Sequence, residues 1–323
     1  MKKINICLCI SLFATLFAIG NVYAQNFPPS TIKIVVPFPP GGPTDIIARL
    51  VAQALSEKLK ANVLVDNKAG ASAMVGSSVV AQSAPDGATL LFNATHQVTN
   101  SVFFKKLPYD VMKDFTPIAL VASVPSVLIV NRNVPVNSTA ELIALAKKDP
   151  SKLSFATFGG ANQLSTELFK SMAGIDVINI SYKGESPALN DVIAGHVPMM
   201  FDTLSTVLPH LSNNKIIPLG VTGSQRSTFL PDVPTIAESG GPLSGYEAIA
   251  WFGLFMPAAN GNIAQTKLTQ AMSEILSSEV FRKKLIAMGA EPSNITGAAF
   301  NKFVNSELIK WREVGRKANI EQQ

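Results

Sequence analysis

The chain has 323 residues, carries 27 Lys and Arg against 22 Asp and Glu for a formal net charge of +5, and is 47% hydrophobic. A chain of this length buries ample core without disulfides. Its only two cysteines, Cys7 and Cys9, lie near the start, which excludes disulfide frameworks, thiol catalysis and zinc–thiolate centres from everything downstream.

Residues 1–24 read as an export signal. Lys2 and Lys3 form the basic end, an apolar stretch follows, and Val22-Tyr23-Ala24 supplies the small–x–small cleavage pattern before Gln25. The apolar stretch is shorter than the ~20 residues that span a bilayer, so cleavage after Ala24 and a periplasmic mature protein are expected. Without the two leader lysines, 25 basic residues face 22 acidic ones and the charge falls to +3. The remaining excess (Lys302, Lys310, Arg312, Arg316, Lys317) is spaced like the solvated face of a helix. That is not the dense, aromatic-interleaved stripe of a nucleic-acid binder, and no nucleic-acid partner is expected.

Mature-chain elements alternate strand and helix, which predicts a mostly parallel α/β architecture. A short apolar run, Ile34-Val35-Val36, is broken by prolines and by Gly41-Gly42, and a helical pattern begins near Thr44 or Asp45. A turn of this kind leaves backbone N–H groups unpaired at a helix start, where the helix dipole also favours an anion. Strand 63–66, a Gly/Ala/Ser loop at 68–73, a helix to 83, the turn Pro85-Asp86-Gly87 and strand 88–92 follow. The β-favouring stretch 119–130, interrupted by Pro125, is long enough to cross between two lobes.

The second half repeats the theme. Ser138 with Glu141 three residues later forms a capping-box pattern for helix 138–148. Strand 152–156 leads to Gly159-Gly160 and a helix through 173, then strand 177–181, helix 186–194, strand 197–201 and strand 215–221. Pro231, Pro234 and Gly240-Gly241-Pro242 mark loop, apolar residues 249–256 form a strand leading back to the first lobe, and amphipathic segments 263–288 and 298–318 finish the chain. The pattern Gly41-Gly42–Pro43-Thr44-Asp45 lines up with Gly159-Gly160–Ala161-Asn162-Gln163. Each places a helix N-terminus at a strand's carboxyl end, where open α/β sheets bind ligands.

Competing chemistries lack their motifs. Neither glycine pair completes a dinucleotide fingerprint or a P-loop, and there is no nucleophile elbow and no metal-spaced His/Glu helix. No cofactor and no metal are expected. Of the three histidines, His96 in Thr95-His96-Gln97 lies at the same sheet edge as the first glycine turn and is either part of a site there or a hydrogen-bonded loop histidine. A secreted hydrolase using His96 with Asp45 is the rival in the enzyme class. Asp45 either complements the helix dipole or faces the ligand. Asp202, at the end of strand 197–201, either caps the next turn or points into the cleft. Lys183 neutralises a second carboxylate or is simply exposed. Phe38 and Phe158 precede the two glycine pairs and either wall the ligand or pack in the core.

Over nearly the whole mature chain the sequence resembles the tripartite tricarboxylate transporter substrate-binding proteins, the Bordetella uptake gene (Bug) receptors. Its motifs arrive in order: VPFPPGGPTDIIAR at 36–49, VDNKAGASAMVG at 65–76, APDGATLLF at 84–92, LPYDVMKDFTPIALV at 107–121, SYKGESPALNDVIAGHV at 181–197, MMFDTL at 199–204, RSTFLPDVPTIAESG at 226–240 and WFGLFMPA at 251–258. The resemblance implies a type II periplasmic-binding-protein-like fold with two lobes joined by crossing strands and a ligand cleft between them. The leader would be 1–24, lobe 1 would comprise 25–125 plus 247–323, and lobe 2 would comprise 126–246. The resemblance also implies a monomer that closes on a small carboxylate and presents it to membrane transporter subunits. A sensor-kinase ectodomain is the alternative partner. The ligand contacts carried over are Phe38, Gly41, Gly42, Thr44, Asp45, Ala71, Ser72, Thr95, His96 and Gln97 from lobe 1, with Phe158, Gly159, Gly160, Asn162, Gln163, Ser165 and Asp202 from lobe 2. Two loops depart from the commoner family pattern, Gly159-Gly160-Ala161-Asn162-Gln163-Leu164 and Ala71-Ser72-Ala73, so the ligand's identity does not carry over from any one relative.

Overall fold

The structure, a computed structural model, describes residues 27–158, 160–259 and 263–323, without the side chain of Ser205. The expected export signal and its cleavage point lie outside the described residues. Among the described residues no helix is long and apolar enough to cross a membrane.

Strand β1 (Thr31–Val36) buries Ile32, Ile34 and Val36 on one face and Val35 on the other, the period-2 alternation of a strand covered on both sides. Helix α1 (Pro43–Leu59) follows, with Pro43 at its first position, where a missing N–H costs nothing. Next come β2 (Asn62–Asn67), α2 (Met74–Ala81), β3 (Thr89–Ala94) and α3 (His96–Phe103), and β1 pairs in parallel with both β2 and β3. The 17-residue β4 (Phe115–Asn131) runs straight through Pro125, so the expected interruption does not occur. Pro125 sits opposite Ile249, the first residue of the neighbouring strand, and the next N–H, that of Ser126, donates to Thr222 Oγ1 at 2.9 Å.

Beyond β4 lie α4 (Thr139–Lys148), β5 (Ser154–Thr157), α5 (Gly160–Ala173), β6 (Ile178–Ser181), α6 (Glu185–Ala194), β7 (Met199–Thr203), α7 (Leu204–Leu211) and β8 (Ile216–Val221). The α4 cap is the one its sequence specifies. Ser138 Oγ accepts from Glu141 N–H at 3.2 Å, and the Glu141 carboxylate accepts from Asn137 N–H at 2.7 Å. The strand expected at 152–156 starts at Ser154, because Pro150–Lys152 form a 3-10 turn. Helix α7 is absent from the sequence expectations; it has eight residues and an internal proline, Pro209, features that argue against a helix locally. Strand β9 (Ile249–Pro257) returns to the first lobe. Segment 263–288 is two helices, α8 (Ile263–Ser277) and α9 (Glu279–Ala287), because Ser278 takes an extended conformation and caps the second. The short β10 (Glu291–Pro292) and α10 (Gly297–Lys317) end the fold.

The strands order as β2-β1-β3-β9-β4-β7-β5-β6, with β8 and β10 also on β4. The register of β4 decides where the carboxyl edges of the two parallel sheets lie. Strand β3 ends at Ala94, which pairs with Phe252 of β9, and Phe252 pairs with Ala122 of β4. From the other side β7 ends at Thr203, which pairs with Ser126 of β4. Strands β3 and β7 approach this stretch from opposite directions. The carboxyl edges of the two parallel sheets therefore point at one another across residues 122–126, four steps or about 13 Å of strand.

The two faces of the sheet are covered differently. On one face a single apolar cluster runs through both lobes, from Val35 and Leu91 through Trp251, Phe255 and Phe300 to Phe155, Phe169 and Phe201. Helix α10 seals it, packing on β4, α3 and α5. Buried Glu307 accepts the indole N–H of Trp311 at 2.9 Å and of Trp251 at 3.1 Å while paired with Lys310. On the opposite face the core is split. One cluster under α1, α8 and α9 takes Phe38 at its margin, and another under α6 and α7 takes Phe158. The break between them lies where the two carboxyl edges meet.

Candidate functional site

The first turn runs from the end of β1 to the start of α1. Gly41 has φ +87°, a left-handed conformation that a side chain would resist, and Gly42 caps the helix in an extended conformation. Asp45, in the helix's first turn, is 2% exposed. Its Oδ2 accepts from Gly41 N–H and from Arg49 Nε, both at 2.9 Å, and its Oδ1 accepts from Asn67 Nδ2 at 2.9 Å. Asn67 Nδ2 also donates to the Phe38 carbonyl, and Arg49 Nη2 donates to Asn67 Oδ1. Burial alone would raise the Asp45 pKa, but the bonds from Arg49, Gly41 and Asn67 outweigh it and hold the carboxyl below the usual range. Asp45 is thus fully engaged within the protein, and its charge is answered by Arg49. It neither repels an anion nor calls for an amine. The N–H groups of Gly42, Thr44 and Asp45 make no hydrogen bond among the described residues, and neither does the nearly buried Thr44 hydroxyl.

The second turn uses the same device one residue out of step with the alignment the sequence suggested. Helix α5 starts at Gly160 as α1 starts at Pro43, so Asn162, and not Gln163, corresponds to Asp45. Asn162 Oδ1 accepts from Phe158 N–H at 3.2 Å, as Asp45 accepts from Gly41, and Asn162 Nδ2 donates to the Phe201 carbonyl of β7 at 2.6 Å. Gly159 lies outside the described residues. The Gln163 side chain, half-buried, has no hydrogen bond among the described residues. Ser165 Oγ donates to the Ala161 carbonyl one turn back at 2.7 Å, so its hydroxyl is used inside the helix.

His96 is the first residue of helix α3, which corrects the loop expected there. Its ring meets Phe38 edge-on at 5.1 Å between centroids, which brings the β3–α3 junction against the first glycine turn. Nδ1 is buried without a partner among the described residues, and burial pushes the imidazole pKa down, so the ring is neutral at pH 7. No hydrogen bond joins it to Asp45, as the hydrolase reading would require. Thr95 Oγ1 accepts from Trp251 N–H at 3.0 Å and ties this junction to the crossing strand β9. Gln97 is wholly buried. Its Oε1 accepts from Asn93, which also donates to Ser77, while its Nε2 has no partner among the described residues.

The β2–α2 turn is strained. Ala71, Ser72 and Ala73 have φ of +45°, +50° and +73°, three consecutive non-glycine residues in the left-handed region, at a cost of roughly 1–2 kcal/mol each. Asn100 Nδ2 holds the turn by donating to the Ser72 carbonyl at 2.6 Å, and Ala71 and Ser72 remain exposed.

Asp202 sits at the carboxyl end of β7 on the split-core face, 2% exposed, with Oδ1 accepting from Thr203 N–H at 2.7 Å. Oδ2 meets no donor because it faces Glu185, a second carboxyl at the start of α6. Burial first, and then Glu185, push the Asp202 pKa up to about 9. Burial would raise Glu185 as well, but hydrogen bonds from Asp202, Thr206 and Thr203 outweigh it and lower its pKa. The pair therefore shares one proton, held on Asp202. Lys183, two residues before Glu185, is exposed. Glu185, Asn67 and Arg49 were not singled out from sequence. Each lies inside a motif already noted; Glu185 and Asn67 depend on partners 17 and 22 residues away, whereas Arg49 pairs with Asp45 at helical i,i+4 spacing, a signal that was available in the sequence.

Two carboxyl edges facing across a pair of shared strands, with donor-rich turns at the break in the core, define a two-lobed solute-binding protein. The TctC profile, described as tripartite tricarboxylate transporter family receptor, matches residues 47–320, and the chain belongs to that family. Its members are receptors and not enzymes, which removes the hydrolase alternative. Among solved structures, the chain is 35% identical to R. palustris Rpa4515 with adipate, covering 92% of this chain and 100% of that one at a TM-score of 0.74. It is 31% identical to the periplasmic binding protein BugD (92% and 100% covered, TM-score 0.71). MatC from Rhodopseudomonas palustris with bound malate is 30% identical (90% and 100% covered, TM-score 0.68). The family is one of periplasmic binding proteins.

Proposed function

We propose that this receptor captures a small carboxylate (a mono- or dicarboxylate, an amino acid or an aromatic acid) between its two turns and delivers it to the membrane subunits of a tripartite transporter. The observation that carries this reading is the meeting of the two carboxyl edges at residues 122–126, with unpaired N–H groups and the Thr44 hydroxyl at the first turn. The relatives solved with adipate and malate support an acid as the ligand. Lobe 1 then comprises 25–125 plus 247–323 and lobe 2 comprises 126–246, so that β4 and β9 carry the hinge. Ligand binding shifts an open–closed equilibrium about those strands.

The test is a thermal-shift screen of adipate, malate, glutamate and benzoate with their neutral amides. A ligand at 100 times its dissociation constant adds about 2.7 kcal/mol of stability, and Thr44→Val weakens that stabilisation by removing a hydroxyl partner. Amides that stabilise as well as the acids would overturn the anion reading.

A further inference from the structure

The two turns share a construction that sequence alignment alone places one residue out of register. In each lobe the third residue of the helix bends its side chain back onto the turn, accepts a backbone N–H four residues earlier, and reaches the carboxyl end of a neighbouring strand. In lobe 1 that residue is Asp45, holding Gly41 N–H and, through Asn67, the end of β2. In lobe 2 it is Asn162, holding Phe158 N–H and the Phe201 carbonyl of β7. Each is a side chain of the kind that would bind a ligand, yet both already have protein partners for their polar atoms. The internal bond takes up the N–H of Gly41, the first of its glycine pair, in lobe 1 and that of Phe158, just before its pair, in lobe 2. It leaves the N–H groups of Gly42, Thr44 and Asp45 in one lobe, and of Gly160, Ala161 and Asn162 in the other, without an acceptor among the described residues. A turn built in this way keeps its donors in one arrangement before any anion arrives, and so avoids the ordering cost on binding.

We propose that Asp45 and Asn162 are positioning residues, a matched pair of staples that hold the two turns in their capturing shape without touching the ligand. The proposal rests on the reading that the ligand binds between these turns. It separates the candidate contacts into those that meet the acid and those that shape the backbone around it, and it places the same shaping role on a charged residue in one lobe and a neutral one in the other.

The test uses the full mature chain and two readouts. In ligand-free protein, amide hydrogen exchange followed by NMR reports the staples directly. Asp45→Ala accelerates exchange at Gly41 about tenfold and leaves Phe158 unchanged, whereas Asn162→Ala does the reverse, as loss of one hydrogen bond predicts. Calorimetric titration with whichever of adipate, malate, glutamate and benzoate the wild type binds then shows affinity weakened about tenfold in each alanine variant. Asp45→Asn, which keeps an acceptor for Gly41 N–H, recovers most of the loss, and Asn162→Ser stands in if the alanine variant does not fold. Unchanged exchange at both amides overturns the staples. Altered exchange with unaltered affinity overturns the positioning role. A wild-type protein that binds none of the four acids overturns the binding reading and the ligand half of this proposal, while exchange still decides the other half.

Discussion

The two turns share a side-chain-to-backbone hydrogen bond but differ in electrostatics. The first is held by an ionised carboxylate whose charge Arg49 answers. The second is held by a neutral amide bonded to the carbonyl of Phe201, the residue before Asp202, whose pKa burial and Glu185 raise. One turn therefore depends on a charge that must stay charged, while the other lobe carries a carboxyl held neutral beside an uncharged staple. The two lobes should consequently fail at opposite ends of the pH scale.

The sharpest way to break this comparison is to replace both staples with an apolar residue of similar size. Asp45→Leu leaves Gly41 N–H, Asn67 and the Arg49 guanidinium without their acceptor and is expected to cost about 3 kcal/mol in urea unfolding. Asn162→Leu removes two neutral hydrogen bonds and is expected to cost about 1–2 kcal/mol. Equal losses would mean that the charge on the first turn is incidental.

Next in size is the pH response. The Asp45 pKa is lowered on folding, so its contribution is present above the ordinary carboxylate value and is lost as pH falls through the folded value. Asp202 is raised to about 9, so its contribution is complete below its unfolded value near 3.8 and is lost progressively as pH rises toward 9. Asp202→Asn removes that decline. Between pH 5 and pH 9 the variant should gain at least about 1.4 kcal/mol on the wild type, the equivalent of one pKa unit. Urea midpoints that run parallel for the two proteins across this range would show that the carboxyl pair does not hold its proton.

The smallest expected effect concerns the third turn. Ala71→Gly relieves one left-handed residue and should stabilise the protein by about 0.5–1 kcal/mol. Destabilisation on calorimetry would mean that the Ala71 methyl makes contacts that outweigh its backbone strain.

Much of the fold was legible because strands buried on both faces and capped amphipathic helices announce themselves locally. The Ser138–Glu141 cap, the alternation in β1 and the glycine turn before α1 each depend on residues within a few positions of one another. The errors share the opposite property. Helix α7 carries an internal proline, and α3 starts at His96 without a side-chain cap; both are short helices held by tertiary packing, α7 against β4, β7 and β8 and α3 against α10. Pro125 reads locally as a break, yet β4 passes through it because its neighbours take over the hydrogen bonding. At the site, the residue types were visible but their duties were not. Whether Asp45 meets a ligand or a backbone N–H depends on where Arg49 and Asn67 stand, and the state of Asp202 depends on Glu185, 17 positions away.

By itself, the sequence determined the alternating α/β order, the lack of any cysteine beyond Cys9, and the glycine turns at strand ends, since each follows from composition or from contacts within one or two turns of chain. Only the tertiary structure decided that the carboxyl edges meet at residues 122–126, that one face of the core is continuous while the other is split, and which acid is charged and which neutral. Register, burial and proton sharing are relations between distant segments. Their energies come from neighbours that the chain acquires only by folding.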